Sequence, residues 1–298
     1  MQYNGQIWRP PVEANTFLLP VTEGCTPKKC RFCSMFKDIP FRMLDLADVE
    51  EVLKEGVNMY HQHGMPVKRI YLIGGDPFAM NFENLKKRID LIHKHAPECE
   101  TITMYASIDN IARKSDEELR LLKEMGVDDL YVGIESGLDD VLEHINKGHT
   151  VAQAIEQCQR LNRIGIHHMS LLMLGVAGHG RGEENAKATA KFLNAVDPRM
   201  ILLMSMTINE DMDLQKDVDA GTFTLATEME MLAEEKVLIE NLNLPDTYFW
   251  AAHSLDVVSL QGWLGDQQDA MIAELDHALN TLTDEIIDQK FNRKTRAL

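Results

Sequence analysis

The stretch TEGCTPKKCRFCSMF, residues 22–36, places three of the chain's five cysteines, Cys25, Cys30 and Cys33, within nine positions. It follows a short apolar run of the kind that forms a buried β-strand. Three thiolates on one loop can make three soft bonds to a single metal centre and leave its remaining coordination direction open. An odd count of five cysteines in 298 residues is not typical of a secreted disulfide framework. The loop therefore predicts a metal or redox site after the first strand.

The type of metal depends on what completes the coordination of these three thiolates. A structural zinc site is closed by four protein ligands, and the next candidates, His61 and His63, lie far along the chain in or after a predicted helix. Cys99 and Cys158 are isolated, each within or beside a helical segment, and suit buried apolar positions better than ligand positions. An iron–sulfur cluster is therefore favoured. A zinc-stabilised binding protein stays as an alternative.

Short apolar runs alternate with amphipathic stretches along most of the chain. The amphipathic stretches carry apolar residues at helical spacing, and the runs have the length of parallel strands that are covered on both faces. The runs occupy residues 16–24, 69–75, 101–107, 129–135, 168–175 and 200–207. Six strand–helix repeats predict an α/β fold with a right-handed parallel sheet.

Local signals mark helix ends within this pattern. Ser115 followed by Glu118, and Thr227 followed by Glu230, are capping boxes that begin helices. Gly126 stands where a helix should end in a left-handed residue before the next strand. These signals agree with the strand–helix alternation.

The division of the chain into parts follows a change of pattern after residue 208. No internal repeat, low-complexity tract or Pro/Gly-rich linker separates two domains. A polar stretch is followed by two long helical patterns at about 226–242 and 266–289. We therefore expect a core over residues 1–208 and a mainly helical C-terminal extension of the same domain over residues 209–298.

Charge and hydropathy restrict the partners. The formal net charge of −17 repels phosphate backbones, so nucleic acid is a disfavoured partner. A short basic group at the C-terminus, Lys290, Arg293, Lys294 and Arg296, is interpreted as a solvated tail. No window approaches the roughly 18 apolar residues of a membrane span, and we expect a cytoplasmic protein with no membrane partner.

Small and polar residues follow the predicted strands, where parallel folds place their ligand sites. Helix N-termini also point their partial positive charge toward this end. Such positions include Gly74, Gly75, Asp76, Pro77, Ser107, Glu135 and Gly175, which are candidates for a ligand site. Residues that we would test for substrate contact, on position alone, are Ser205, Thr207, Asn209, Glu210, Tyr248, Trp250 and His253.

The cysteine loop resembles the signature of the radical S-adenosylmethionine (SAM) enzymes, in which three cysteines hold a 4Fe-4S cluster. The aromatic Phe32 inside the last interval is part of the likeness. The spacing here is C-x4-C-x2-C, whereas the usual one is C-x3-C-x2-C. The resemblance implies a partial (β/α)6 TIM-like barrel, with Cys25, Cys30 and Cys33 as the cluster ligands.

Further motifs resemble the same family in the same order. GGDP at 74–77 is similar to its GGE motif, which implies that Asp76 receives the methionine amino group of SAM. VGIESG at 132–137 and INKGHT at 145–150 resemble the branch with coproporphyrinogen-oxidase-like and Elp3-like enzymes. That likeness implies that Glu135 faces SAM and that Lys147 pairs with its carboxylate. LLMLGVAG at 171–178 is similar to the strand along the adenosine.

The resemblance implies an anaerobic radical enzyme. It would cleave SAM reductively at the cluster and use the 5′-deoxyadenosyl radical to take a hydrogen atom from a small or medium-sized organic substrate. It would need a low-potential electron donor such as flavodoxin or ferredoxin. The substrate and the catalytic residues stay unknown, and the enzyme is an oxidoreductase or a transferase. Two alternatives stay open: a non-catalytic iron–sulfur redox or sensor protein, and a coproporphyrinogen dehydrogenase-like oxidoreductase.

Overall fold

The computed structural model of the protein describes residues 6–26 and 30–290, without the side chain of residue 290. Of the predicted basic tail, Arg293, Lys294 and Arg296 therefore lie outside the described residues, and Lys290 is described by its backbone alone. The strands are β1 Phe17–Pro20, β2 Thr22–Glu23, β3 Arg42–Met43, β4 Arg69–Ile73, β5 Thr101–Ala106, β6 Leu130–Glu135, β7 His168–Leu174, β8 Met200–Ser205, β9 Tyr248–Ala251 and β10 Leu260–Trp263. Each of the six predicted strand segments contains a strand, and residues 16–24 contain both β1 and β2.

Helices follow the strands as the apolar spacing predicts. They are α1 Leu46–Gln62, α2 Phe82–His95, α3 Ile108–Ala112, α4 Asp116–Glu124, α5 Asp139–His144, α6 Val151–Ile164, α7 Gly182–Val196, α8 Gln215–Asp219, α9 Glu228–Glu240, α10 Leu264–Thr281 and α11 Asp284–Lys290. Both predicted capping boxes form, at the starts of α4 and α9. Gly126 has a φ of 86°, as expected for a left-handed residue after a helix.

The main sheet has eight strands in the order β1-β4-β5-β6-β7-β8-β9-β10. The pairs β1–β4, β4–β5, β5–β6, β7–β8 and β8–β9 are parallel, whereas β9 and β10 are antiparallel. The predicted α/β class with a parallel sheet is therefore confirmed. The extension is mainly helical, and it also contributes β9 and β10, which were not predicted. β2 and β3 form a separate antiparallel pair.

The chain forms two compact units. The first comprises Met1–Lys29, Cys33–Gly133 and Gln157–His168, and the second comprises Cys30–Phe32, Ile134–Glu156 and Met169–Leu298. In the first unit, the apolar side chains of β4 and β5 are buried together with those of α1 and α2. In the second unit, β7 and β8 are buried with one face of α7 and of α9. Among the described residues, no helix has the length and apolarity to cross a bilayer.

The strands of the first unit begin on a buried polar network. Arg69 at the start of β4 donates to Glu13 at 2.6 Å and to Asp129 at 2.7 Å. The hydroxyl of Tyr131 donates to the same Glu13 carboxylate at 2.5 Å, and Thr16 donates to it as well. This network closes the amino-terminal ends of the strands, so the opposite ends are where the unit can hold a ligand.

Candidate cofactor site

The cysteine loop connects β2 to β3 and begins with a glycine. Gly24 has a φ of 69°, and a Cβ there would lie 2.6 Å from the carbonyl oxygen of Ile39, so no other residue fits without displacement. Cys25, Cys30 and Cys33 are partly exposed, and none of them is in a disulfide. Residues 27–29 lie outside the described part of the chain.

The two remaining cysteines differ from those of the loop. Cys99 and Cys158 are buried, and burial raises the pKa of their thiols to about 11 and about 12. A thiol with a raised pKa rarely forms the thiolate that binds metal. The prediction that these two are buried apolar residues is confirmed, and the loop cysteines are the accessible set.

The GGDP turn packs against the start of the cysteine loop. The Gly75 N–H donates to the carbonyl oxygen of Gly24 at 2.9 Å. A Cβ at Gly75 would lie 2.4 Å from the Cβ of Cys25, and one at Gly74 would lie 1.9 Å from the hydroxyl oxygen of Thr22. Both glycines are therefore required by close approach, and the turn borders the first cysteine.

Asp76 is a buried carboxylate with one unused oxygen. It is 2% exposed, and its Oδ2 accepts a hydrogen bond from the Asn110 amide at 2.7 Å. Its Oδ1 has no hydrogen bond from any described residue. Burial raises its pKa to about 6, against the polar groups of Ser107 and Asn110 and the charge of Lys114. A buried oxygen that lacks a donor suits a cationic ligand group such as an ammonium.

Two residues that the sequence did not single out hold this turn. Asn110 in α3 also donates to the Ser107 hydroxyl at 3.0 Å, so it connects Ser107 to Asp76. Lys114 donates to the carbonyl oxygens of Phe78 and Met80 at 2.6 and 2.9 Å. Burial lowers the pKa of Lys114 to about 8. The only sequence signal was two polar residues in and just after a short helix that follows a strand.

In the second unit, Glu135 and Lys147 form a buried pair. Lys147 Nζ lies 2.7 Å from Glu135 Oε1, and their side chains are 13% and 8% exposed. Lys147 Nζ also lies 5.6 Å from the ring centre of Phe32. Glu135 has a φ of 70°, which a non-glycine residue rarely adopts. The structure thus brings together three predicted residues. It pairs Lys147 with Glu135, whereas the prediction paired Lys147 with the SAM carboxylate.

His149 lies near this pair in the second unit. Burial, followed by the nearby charge of Lys147, lowers the pKa of His149 to about 3, so the imidazole is neutral at physiological pH. Its Nε2 has no hydrogen bond from a described residue. The imidazole therefore adds no positive charge beside Lys147.

Gly175, at the end of β7, is held by the C-terminal extension. Its φ is 75°, and its N–H donates to Glu234 Oε2 at 2.8 Å. Asn185 donates to the other carboxylate oxygen at 2.7 Å, and it accepts from Ser136 at 2.5 Å. Burial raises the pKa of Glu234 to about 7. No sequence signal marks Glu234 and Asn185, because both are polar residues within amphipathic helices.

The structure separates the residues proposed for substrate contact. The Ser205 hydroxyl and N–H donate to Asp256, and the His253 N–H donates to the other oxygen of that carboxylate, so Ser205 and His253 are close. Tyr248 pairs with Met200 at the opposite end of β8, and Trp250 is buried beside Leu202. The tyrosine and the tryptophan therefore do not join the serine.

Comparison with known proteins gives the family of the chain. Residues 19–193 match the sequence model of the Radical SAM superfamily, which is more than half of the chain. The chain is 31% identical to the heme chaperone HemW of Bacillus subtilis over 155 residues, 50% of this chain and 40% of that protein. It is 29% identical to an uncharacterized methyltransferase of Pyrococcus horikoshii over 59% of this chain and 36% of that protein.

Among solved structures, the fold is similar to archaeal Elp3 from Methanocaldococcus infernus. The TM-score is 0.56 at 15% identity, over 87% of this chain and 63% of that one. The matched part of the chain spans two fifths or less of these two curated relatives. Accessible thiols, a glycine turn against Cys25 and a buried carboxylate oxygen with no donor among the described residues suit the 4Fe-4S cluster and SAM of the superfamily. The chain belongs to the Radical SAM superfamily.

Proposed function

We propose that the protein is a radical SAM enzyme that cleaves SAM reductively and uses the 5′-deoxyadenosyl radical to abstract a hydrogen atom from an organic substrate. When bound, the cluster and SAM supply the electron transfer and the radical chemistry. The protein supplies ligands, orientation and exclusion of water. The observation that carries the proposal is the unused Oδ1 of Asp76, in the turn that touches Cys25.

The proposed roles follow the chemistry of each group. Cys25, Cys30 and Cys33 hold the cluster and leave one iron for SAM. The backbone of Gly74 to Pro77 and the Asp76 carboxylate receive the methionine ammonium, and Ser107 supports them through Asn110.

In the second unit, Lys147 provides a positive charge for the methionine carboxylate, and Glu135 provides a negative charge for the amine. Lys147 can turn from Glu135 to a ligand carboxylate, because an ammonium on a flexible stem can change partners. Phe32 packs beneath its Nζ, and Gly175 supports the adenosine strand.

Anaerobic reconstitution tests the proposal. The wild-type protein should bind about four irons per chain and, with a strong reductant and SAM, release 5′-deoxyadenosine that is measured by chromatography. Cys30→Ala should lose the cluster and the product. Cys158→Ala is the matched control and should keep both, because its thiol is buried in a helix. Retention of the cluster by Cys30→Ala would refute the ligand assignment.

A second candidate function is non-catalytic, and it is supported by the likeness to a protein named heme chaperone. In that case the protein would bind its cluster and a heme without cleaving SAM. Titration with hemin, followed by absorbance, and the assay for 5′-deoxyadenosine separate the two candidates. Heme binding without cleavage by fully reconstituted protein would favour the second. Within the enzyme class, coproporphyrinogen oxidation is the alternative substrate assignment and can be tested with that substrate directly.

A further inference from the structure

Arg31 stands between two of the proposed cluster ligands, Cys30 and Cys33. An arginine at an exposed loop position would normally extend into water. Here its backbone and its guanidinium are both held by other residues of the second unit. Its side chain is 27% exposed, which is low for a loop arginine.

The end of α5 provides the first attachment. The Arg31 N–H donates to the carbonyl oxygen of Ile145 at 2.9 Å, and its Nη1 donates to that of His144 at 3.1 Å. The last carbonyls of a helix lack partners within the helix and carry partial negative charge. A cationic donor at this end is therefore favoured by both hydrogen bonding and electrostatics.

The segment 214–223 in the C-terminal extension provides the second attachment. Asp217 Oδ1 lies 2.7 Å from Arg31 Nη2, and the Leu214 N–H donates to the Arg31 carbonyl oxygen at 2.8 Å. The hydrogen bond from Arg31 lowers the pKa of Asp217, so this carboxylate is ionised at neutral pH. Arg31 is thus bound at its N–H, its carbonyl and its guanidinium.

The segment 214–223 is itself fixed. The N–H groups of Thr222 and Phe223 donate to the Asp217 carbonyl oxygen at 2.9 and 3.2 Å. The Phe223 ring stacks on the His144 ring, with centroids 5.3 Å apart and planes at 24°. His144 Nε2 lies 3.3 Å from Asp217 Oδ2. The backbone of the segment is therefore fixed by contacts that do not involve Arg31.

We propose that Arg31 and Asp217 are positioning residues that fix the Cys30–Phe32 part of the loop for cluster binding. The inference rests on the proposed ligand role of Cys30. The hydrogen bonds on both sides of Arg31 fix its neighbours in the loop. Phe32 then lies under Lys147, which pairs with Glu135. The C-terminal extension thereby acquires a defined role, because Asp217 holds a loop residue that lies 186 positions earlier in the chain.

Isolated ion pairs on a surface contribute little, so a matched pair is needed as a control. Arg181 and Asp140 provide one in the same unit: their atoms are also 2.7 Å apart, and neither has a hydrogen bond to a described residue of the cysteine loop. The effect that we propose belongs to Arg31–Asp217 and not to Arg181–Asp140.

The test uses reconstituted holoprotein. Asp217→Asn, Asp217→Ala and Arg31→Gln should release iron to a ferrous chelator faster than wild type, by about tenfold for Asp217→Ala, because the groups that orient metal ligands change affinity by 10- to 100-fold. Arg31→Lys should recover only part of the loss, since an ammonium lacks the fork that reaches both His144 and Asp217. Asp140→Asn should release iron at the wild-type rate.

A spectroscopic measurement distinguishes positioning from general weakening. The electron paramagnetic resonance spectrum of the reduced cluster should broaden in Asp217→Asn, while circular dichroism matches that of Asp140→Asn. If Asp217→Ala and Arg31→Gln release iron at the wild-type rate while Cys30→Ala binds no cluster, the inference is wrong and the ligand assignment stands. Equal acceleration in Asp140→Asn would also overturn it. If Cys30→Ala keeps its cluster, the ligand assignment itself fails.

Discussion

The two ends of the strands in the first unit each hold a buried carboxylate, but the two carboxylates differ in the hydrogen-bond donors around them. At the starting end, Glu13 is 2% exposed, and its carboxylate receives hydrogen bonds from Arg69, Tyr131 and Thr16. At the finishing end, Asp76 is equally buried, yet one of its oxygens receives none from a described residue. At the first end both carboxylate oxygens have donors. At the second end one oxygen is left for a ligand.

The pKa values of the two carboxylates express this difference. Burial raises the pKa of both, but Arg69 and the hydroxyl donors outweigh burial at Glu13, whose pKa is lowered. At Asp76 burial prevails, and the pKa rises to about 6. Burial of a carboxylate alone therefore does not identify a ligand site. The hydrogen-bond donors around the carboxylate identify it.

The largest effect on stability should come from removing the cation that pairs with Glu13. Arg69→Met leaves Glu13 buried without its cation, and removal of one partner from a buried pair costs about 3–5 kcal/mol. The free energy of unfolding of the cofactor-free chain, measured in urea, should fall by that amount. Lys68→Met, which breaks the exposed pair with Glu100, is the control and should change it little. A small effect of Arg69→Met would contradict the comparison.

At Asp76, the expected change in the free energy of unfolding has the opposite sign. The rise of the Asp76 pKa from 3.8 to about 6 corresponds to about 3 kcal/mol against the ionised folded form. Asp76→Asn should therefore stabilise the cofactor-free chain at pH 7.5, by at most that amount, while weakening SAM binding at least about tenfold, since it removes a charge-assisted contact. Urea unfolding and calorimetric titration measure the two effects. Loss of stability would contradict the unpaired state of Oδ1.

The same group predicts a pH dependence. Below pH 3.8 the carboxyl is protonated in both states, and between pH 3.8 and about 6 the unfolded state loses its proton first. Since the folded state then holds more protons, stability contributed at this site falls as pH rises through that window. The difference in unfolding free energy between Asp76→Asn and wild type should grow from pH 4 to pH 6. A constant difference would show that Asp76 does not titrate there.

The smallest effect should come from Asn110→Ala, which removes the donor to Asp76. The loss of a hydrogen bond to a buried acceptor costs about 1–3 kcal/mol. Part of this cost should disappear below pH 5, where the carboxyl is protonated. Asn81→Ala, which removes the side-chain acceptor of the hydrogen bond from the Asn84 N–H at an exposed helix start, is a control that should lack the pH dependence.

Much of the fold could be predicted because its signals are local. The buried runs of β4 and β7 and the capping boxes of α4 and α9 are each contained in a few consecutive residues. β9 was missed because its four residues gain their strand conformation from pairing with β8. A partner that distant in sequence leaves no trace in the local pattern.

The functionally relevant residues also differ in how clearly the sequence marks them. The cysteines and the two glycines are marked by residue type and spacing, whereas Glu13 stands in a polar stretch that gives no hint of burial under Arg69. Asp217 and Glu234 are equally unmarked. Their roles depend on tertiary contacts that a single sequence does not reveal.

The left-handed backbone at Glu135 has a consequence for protein engineering. A non-glycine residue in this conformation costs about 1 kcal/mol or more, and glycine would relieve that strain. Glycine would also remove the carboxylate that pairs with Lys147, and breaking a buried pair costs about 3–5 kcal/mol. Selection for thermal tolerance alone should therefore keep this carboxylate in spite of its backbone conformation.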